Sequence, residues 1–184
     1  MFKILIIFFI LNLYSPVFSS IKKQIIDQMQ LTNNLSFNFI QTIDNKNENG
    51  RCIIKYPKKI WCEYDSSIKK IIVSNGKTLV IKTANTGGYY LYPLSKTPLN
   101  ILLDKGYLIS KIKSQKPREI DDKYLNFKFF ENNNEINVFF DMKSLNLIGW
   151  QTKDIYQNLV ITFISSVKIN QKINNKIFIL PKNN

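Results

Sequence analysis

The sequence predicts a mainly β fold, in which two short apolar helices accompany a large antiparallel sheet that is curled or closed. Short segments alternate apolar and polar residues with a period of two, and turn residues separate them at regular intervals. Hydrophobic residues make up 45% of the 184 residues, which is enough to bury a substantial core in one domain.

Residues 1–19 contain a charged region, an apolar region and a region of short side chains, in the order that is typical of a secretory signal peptide. Lys3 supplies a positive charge, residues 4–13 are apolar except for Asn12, and short side chains follow up to Ser19. The apolar run is shorter than the roughly 20 residues that a membrane span needs. We therefore expect an exported, soluble domain of residues 20–184, with an uncleaved N-terminal anchor as the alternative.

The exported domain begins with an amphipathic helix of about three turns, because apolar residues recur there at helical spacing. These residues are Ile21, Ile25, Ile26 and Met29. The period then changes to two at Leu35, Phe37 and Phe39, which predicts the first strand.

Hairpins follow the first strand. Residues 52–56 and 60–64 flank a turn that contains Pro57, and Asn75-Gly76, a strong hairpin signal, separates residues 70–73 from residues 78–82. A polar turn is predicted at residues 45–50. Further strands are predicted at residues 89–94, 124–130, 135–141, 145–152, 159–167 and 176–180.

One segment interrupts the strands. Thr97 is a candidate N-cap, Pro98 suits the first helical position, and residues 99–103 form a short apolar helix that ends near Asp104 and Gly106. The two helices either plug an ordinary core or cover an apolar concave face as a removable lid. The residue pattern alone favours neither.

Charge and composition exclude several classes of function. The chain has 26 Lys+Arg against 13 Asp+Glu, but only Arg51 and Arg118 are arginines and the lysines are dispersed, so we expect no nucleic-acid partner. The absence of histidine excludes Ser-His and Cys-His nucleophile pairs and His-ligated metals. Two cysteines cannot form a four-thiolate zinc site, so we expect no metal.

Several motifs occur in the order in which one protein family carries them. Residues 71–79, IIVSNGKTL, are similar to a hairpin written I-V-S-D-G-K-T-L, and residues 92–99 resemble the passage into a lid helix. Residues 36–42 resemble a first strand with an F-x-Q-T core, and residues 55–65 resemble a P-x-x-x-x-W-E-Y hairpin. Gly149-Trp150, Asp154 and the segments 167–170 and 178–181 follow in the same order. The family that these motifs resemble is LolA, the periplasmic carriers of outer-membrane lipoproteins.

The resemblance implies an incomplete antiparallel β-barrel, or half-barrel, with a lid of short α-helices that opens to admit acyl chains. Family members accept lipoproteins from an inner-membrane ABC releasing complex (LolCDE-like) and deliver them to an outer-membrane receptor (LolB-like). The resemblance therefore implies a monomeric carrier in the periplasm, with acylated lipoproteins as cargo, no cofactor and no enzymatic activity.

The resemblance also suggests which side chains meet the cargo. For the cavity we predict Leu35, Phe37, Phe39, Ile60, Leu79 and Ile81. For the lid we predict Ile25, Met29, Leu99, Ile101, Leu102 and Leu103. For each of these residues, a place in the permanent core is the alternative.

The chain departs from the family pattern at the hairpin. The family often has an arginine directly before the hairpin proline, and that arginine is held to latch the lid, but here the position is Tyr56. A phenol has no charge and no guanidinium fork, so the latch is weaker or lies elsewhere, with Lys55 as a candidate.

Cys52 and Cys62 lie on adjacent predicted strands in an oxidising compartment. If the hairpin loop holds an odd number of residues, they face each other and can form a disulfide. With an even loop they point to opposite faces and remain buried thiols.

The alternative function is a periplasmic lipid- or lipoprotein-sensing regulatory module with a related half-barrel fold. Such proteins usually carry a second domain, for which we expect little room. The outer-membrane receptor of the same pathway is a further relative, but it needs a lipid-modified cysteine, and residues 15–21 contain none.

Overall fold

The structure is a computed structural model that describes residues 17–131, 134–154 and 156–183. It begins with helix α1 (Val17–Leu31). The predicted signal peptide, residues 1–19, lies almost entirely outside the described residues and stays a prediction. In the part of the chain that is described, no helix combines the length and apolar character that a membrane span requires.

Within the described residues, eleven strands form one antiparallel sheet. They are β1 (Asn34–Ile43), β2 (Lys46–Lys55), β3 (Lys59–Tyr64), β4 (Lys70–Asn75), β5 (Thr78–Thr83), β6 (Gly88–Pro93), β7 (Arg118–Ile120), β8 (Tyr124–Glu131), β9 (Asn134–Asp141), β10 (Leu147–Lys153) and β11 (Leu159–Ile169).

The sheet is open. Its order is β6-β5-β4-β3-β2-β1-β11-β10-β9-β8-β7, so β6 and β7 are its two edges and do not pair with each other. The first strand in the chain, β1, pairs with the last strand, β11, in the middle of this order. The predicted half-barrel is therefore confirmed as a large, unclosed antiparallel sheet with short helices.

The two faces of the sheet differ in polarity. Along β1, Phe37 and Phe39 point to the inner face and are buried, whereas Asn38 and Ile40 point outward and are exposed. The same alternation buries Cys62 of β3 while Glu63 stays half-exposed. The inner face carries the main hydrophobic core and the helices.

Two helices follow β6. Helix α2 (Leu99–Leu103) lies where the sequence predicts it, and helix α3 (Lys105–Ser114) is not predicted. The predicted N-cap of α2 is wrong, because Pro98 takes the cap position and the Thr97 hydroxyl donates instead to the Leu94 carbonyl oxygen at 2.9 Å. Asp104 and Gly106 were expected to end a helix. Instead, the Asp104 carboxylate accepts a hydrogen bond from the Tyr107 backbone N–H at 3.1 Å, so it caps the beginning of α3.

Helices α1 and α3 run antiparallel and bind each other's ends. The Lys22 ammonium donates to the carbonyl oxygens of Lys113 and Gln115, each at 2.7 Å, at the C-terminus of α3. The Lys105 ammonium donates to the carbonyl oxygens of Gln30 and Thr32, at 2.9 and 2.8 Å, at the C-terminus of α1. Each cation thus satisfies carbonyl groups that the helix itself leaves without partners.

The C-terminal segment crosses the outer face of the sheet. The prediction of a strand at residues 176–180 is wrong, because the chain forms a 3-10 turn at Asn175–Phe178 instead. Phe178 is buried there, and the turn contacts β3 and β4, where Val73 of β4 points to the same outer face and is also buried. The polar turn expected at residues 45–50 is also wrong, since β2 already begins at Lys46.

Candidate functional site

An apolar cavity of about 300 Å³ lies between the inner face of the sheet and the beginning of α2. Apolar side chains from both halves of the sheet line it, and polar groups gather at one end. The wall comprises Phe39, Gln41, Ile43, Cys52, Ile60, Cys62, Tyr64, Ile72, Leu79, Ile81, Tyr92, Thr97, Pro98, Leu99, Trp150, Thr152, Lys153, Asp154, Tyr156, Val160 and Thr162.

The structure places four side chains predicted for the cavity in its wall. These are Phe39, Ile60, Leu79 and Ile81. Leu35 and Phe37 are buried on the same face but lie outside the cavity wall, where the Phe37 ring meets Trp150 edge-on at a centroid distance of 6.2 Å.

The residues predicted for the lid lie on α1 and α2, but only Leu99 lines the cavity. The others belong to the buried core cluster under the helices, and they are Ile25, Met29, Ile101, Leu102 and Leu103. Sequence reasoning missed Trp150, Tyr92 and Val160, although the alternation of β6, β10 and β11 assigns them to the inner face.

A glycine allows two aromatic rings to meet in the cavity wall. Gly50 lies between Phe39 on β1 and Tyr64 on β3, and a Cβ atom there would come within 2.1 Å of the Glu63 carbonyl oxygen. The Phe39 and Tyr64 rings contact edge-on across it at a centroid distance of 4.8 Å. The wall is therefore closely packed at this position.

Polar groups form a short chain at one end of the cavity. The Tyr64 hydroxyl donates to the Gln41 side-chain oxygen at 3.2 Å, and the Gln41 amide donates to the Thr162 hydroxyl at 3.1 Å. Burial raises the pKa of the Tyr64 phenol, and the Glu48 carboxylate adds to the shift, so the phenol stays neutral. The cavity is thus apolar inside with a neutral polar end, next to Lys153 and Asp154.

Cys52 and Cys62 form a disulfide in the floor of the cavity. They are directly opposite each other on β2 and β3, because three residues separate the last paired positions of this hairpin, Lys55 and Lys59. This is the odd loop that brings the two side chains to one face.

The β2–β3 turn holds the junction of α2 and α3 through Lys58. Its backbone N–H donates to the Leu103 carbonyl oxygen at 2.8 Å, and its ammonium lies 3.2 Å from the Asp104 carboxylate. Lys58 has a φ of 64°, the left-handed conformation that bends the turn. Sequence reasoning did not identify it.

The two residues considered for the lid latch make other contacts. The Lys55 ammonium donates to the Asn175 side-chain oxygen at 2.6 Å, in the C-terminal segment on the outer face. The Tyr56 backbone N–H donates to the Asn33 carbonyl oxygen at 3.0 Å, and the Lys105 ammonium lies 5.8 Å from the Tyr56 ring centroid. Burial raises the pKa of the Tyr56 phenol.

A larger groove, of about 1100 Å³, lies along the outer face and is bordered by Asn38, Arg51, Glu63 and Asp65. The Arg51 guanidinium donates to the Glu63 carboxylate at 2.6 Å within it. Its charged and amide groups make it a poor site for an apolar ligand. Among the described residues, no group of three or more potential ligands could hold a metal ion.

Comparison with known protein families finds a match over most of the chain. The family model described as outer membrane lipoprotein carrier protein LolA matches residues 30–180. No curated protein matches the sequence.

Solved structures are similar to this chain at very low sequence identity, and one of them exceeds a TM-score of 0.5. An uncharacterized conserved protein from Thermus thermophilus superposes with a TM-score of 0.54 at 6% identity, over 90% of this chain and 95% of that chain. A LolA superfamily protein from Nitrosomonas europaea gives 0.46 at 10% identity, over 88% and 96%. A putative outer membrane lipoprotein-sorting protein domain from Vibrio parahaemolyticus gives 0.47 at 7% identity, over 85% and 95%.

Proposed function

The chain belongs to the LolA family of outer membrane lipoprotein carriers, and we propose that it shields the acyl chains of lipoproteins and carries them from the inner to the outer membrane. The observation that carries this proposal is the apolar cavity between the sheet and α2. We place the protein in the periplasm, with an inner-membrane releasing complex as donor and an outer-membrane receptor as acceptor.

The free energy of acyl transfer explains why a carrier needs such a cavity. Burial of one methylene is worth about 0.8 kcal/mol, so a chain of roughly 16 carbons represents about 12 kcal/mol of unfavourable exposure to water. A lipoprotein cannot leave a membrane at a useful rate unless an apolar surface replaces the bilayer. The inner wall offers Phe39, Ile60, Leu79 and Ile81 for this purpose.

The size of the cavity indicates that the lid must move. A volume of about 300 Å³ is at the low end of the range that holds drug-sized ligands, roughly 300–1,000 Å³. Several acyl chains exceed that volume, so displacement of α2 has to enlarge the space. Helix α2 has only five residues, and Lys58 holds its end through one backbone hydrogen bond and one partly exposed ion pair.

Two further observations support the proposal. The polar chain of Tyr64, Gln41 and Thr162 gives the cavity wall neutral hydrogen-bonding groups, which suit the ester and amide groups of an acylated cysteine. The Cys52–Cys62 disulfide suits an oxidising compartment such as the periplasm.

A release assay with matched variants tests this function. Ile72 lines the cavity, whereas its neighbour Ile71 points to the outer face of the same strand, and both are half-buried. We expect Ile72→Glu to lower lipoprotein release from energised inner-membrane vesicles at least tenfold, because it places a charge in the cavity wall. Ile71→Glu is the control and should keep most of the activity.

The same proteins distinguish carrier from sensor. A carrier purified from the periplasm should bring acylated lipoprotein or phospholipid with it, detectable by mass spectrometry, and Ile72→Glu should lose it. Equal release by both variants, or a protein partner without acyl chains, contradicts the carrier function.

A further inference from the structure

The two edges of the sheet differ in how well they are protected. Edge strands usually carry charges, bulges or prolines, or are very short, because their unpaired backbone groups can bind another strand. The edge strand β7 has three residues and includes Arg118 and Glu119. The other edge, β6, has six residues in unbroken register with β5, and its sequence, GYYLYP, contains no charge and has its one proline, Pro93, at the last position of the strand.

The backbone direction of β6 follows from one hydrogen bond. The Leu94 N–H donates to the Lys77 carbonyl oxygen at 2.9 Å, and donor direction alternates along a strand. Tyr90 and Tyr92 therefore bond to β5, whereas Tyr89 and Leu91 direct their N–H and C=O groups away from the sheet. Tyr90 is 54% exposed and Leu91 is 58% exposed. Within the described chain, no strand pairs with this side of β6.

This edge adjoins the cavity. Tyr92 of β6 lines the cavity wall, and Pro98 and Leu99 at the beginning of α2 lie beside it in the same wall. Tyr90 points to the same inner face as Tyr92, because the two residues are two positions apart on one strand. A strand added to β6 would therefore extend the inner wall next to the bound acyl chains.

We propose that the outer edge of β6 binds the polypeptide that follows the acylated residue of the cargo, as an added antiparallel or parallel strand. This inference rests on the proposed carrier function. Main-chain hydrogen bonds from Tyr89 and Leu91 do not depend on the cargo sequence, so one edge can serve many lipoproteins. The absence of charge on β6 fits a partner that is defined by its backbone and not by its side chains.

The test compares three ligands: palmitate, a palmitoylated decapeptide of uncharged residues, and the same lipopeptide with N-methyl groups on alternate amides. N-methylation removes the backbone donors and leaves the acyl chain and side chains in place. We expect the wild-type protein to bind the unmodified lipopeptide about tenfold more tightly than the N-methylated one, in a fluorescence titration.

Two variants of one residue localise the effect. The substitution Leu91→Pro removes an outward N–H without removing a bond to β5, which edge strands tolerate. Leu91→Thr keeps the N–H and removes the apolar side chain. Leu91→Pro should bind the unmodified lipopeptide more weakly than the wild type does, Leu91→Thr should bind it like the wild type, and both should bind palmitate like the wild type.

The outcomes separate this inference from the carrier function. If palmitate and both lipopeptides fail to bind the wild-type protein, the carrier function and the inference both fall. If palmitate binds but N-methylation has no effect, only the inference is overturned. A dimer that Leu91→Pro dissociates, measured by light scattering, would instead assign the edge to a second copy of the chain and overturn it.

Discussion

The inner face of the sheet has two halves that are covered in different ways. Under α1 and α3, the inner side chains of β8 and β9 are completely buried, and Leu125, Phe127, Ile136 and Val138 have no exposed surface. Under α2, the inner side chains of β4–β6 border a cavity, and Ile72, Ile81 and Tyr92 are only half-buried. We call these the filled half and the cavity half.

The hydrogen bonds that hold the helices over each half account for the difference. The side chains Lys22 and Lys105 join α1 to α3, the Gln28 amide donates to the Asn146 side chain at 2.8 Å, and Tyr107 donates to the Glu131 carboxylate on β8. The five-residue helix α2 has the Lys58 contact at its end. One sheet can thus support both a filled core and a cavity, because the length and attachment of the helices that cover it decide which of the two forms.

Matched leucine truncations should give the largest contrast. Leu125→Ala in the filled half should lower the free energy of unfolding by about 4 kcal/mol, and Leu79→Ala in the cavity wall by about 2 kcal/mol, because Leu79 already borders empty space. Urea denaturation measures both. Only Leu79→Ala should change the affinity for palmitate. Equal losses of stability would show that the two halves are packed alike.

Removal of the disulfide should come next in size. The paired change Cys52→Ala and Cys62→Ala should lower the free energy of unfolding by about 2 kcal/mol, since the bond closes a short loop. Hydrogen exchange should accelerate in β2 and β3 and stay unchanged in β8 and β9. Faster exchange throughout the sheet would mean that the two halves open together.

The ion pair at the end of α2 should have a smaller effect. Lys58→Met removes the ammonium and keeps the backbone hydrogen bond to Leu103, and the pair is about one-third exposed, with side-chain exposures of 35% and 33%. We expect the loss of this ion pair to lower the free energy of displacing α2 by at most about 1 kcal/mol. Palmitate uptake, measured by stopped-flow fluorescence, should then be up to fivefold faster. Lys55→Met is the control, because Lys55 contacts Asn175 on the outer face. Unchanged uptake in Lys58→Met would exclude this contact as a restraint on α2.

Acid should slightly weaken the attachment of helix α3 to β8 in the filled half. The hydrogen bond from Tyr107, followed by the Lys111 contacts, lowers the pKa of Glu131 from its ordinary value of 4.5. Because the pKa of Glu131 is lower in the folded state, its carboxylate adds to the free energy of unfolding above pH 4.5. This contribution is lost as the pH falls through the folded-state pKa. Exchange protection of α3 should therefore decrease below pH 4.5, and Glu131→Gln should remove this part of the pH dependence. A pH profile that Glu131→Gln leaves unchanged would contradict the assignment.

Local signals predicted the elements whose pattern is complete within a few residues. Asn75-Gly76 located the β4–β5 hairpin, and Thr97-Pro98 located α2. The sequence does not indicate helix α3, because lysines surround Leu108, Ile109 and Ile112 and because Asp104 and Gly106 resemble the end of a helix. The segment around Phe178 alternates like a strand, but it packs on the outer face of β3 and β4, which local periodicity does not reveal.

The sequence by itself determined the mainly β fold, the family, and the inward direction of Phe39, Ile60, Leu79 and Ile81. The period of two is a local property, and the order of the family motifs is read directly along the chain. Tertiary structure decided which inward side chains border a cavity and which are sealed, and it brought Lys58 to Asp104. Those outcomes depend on how far α1, α2 and α3 reach over the sheet. The reach of each helix is set by contacts between residues that are far apart in the chain, and no short segment of sequence encodes such contacts.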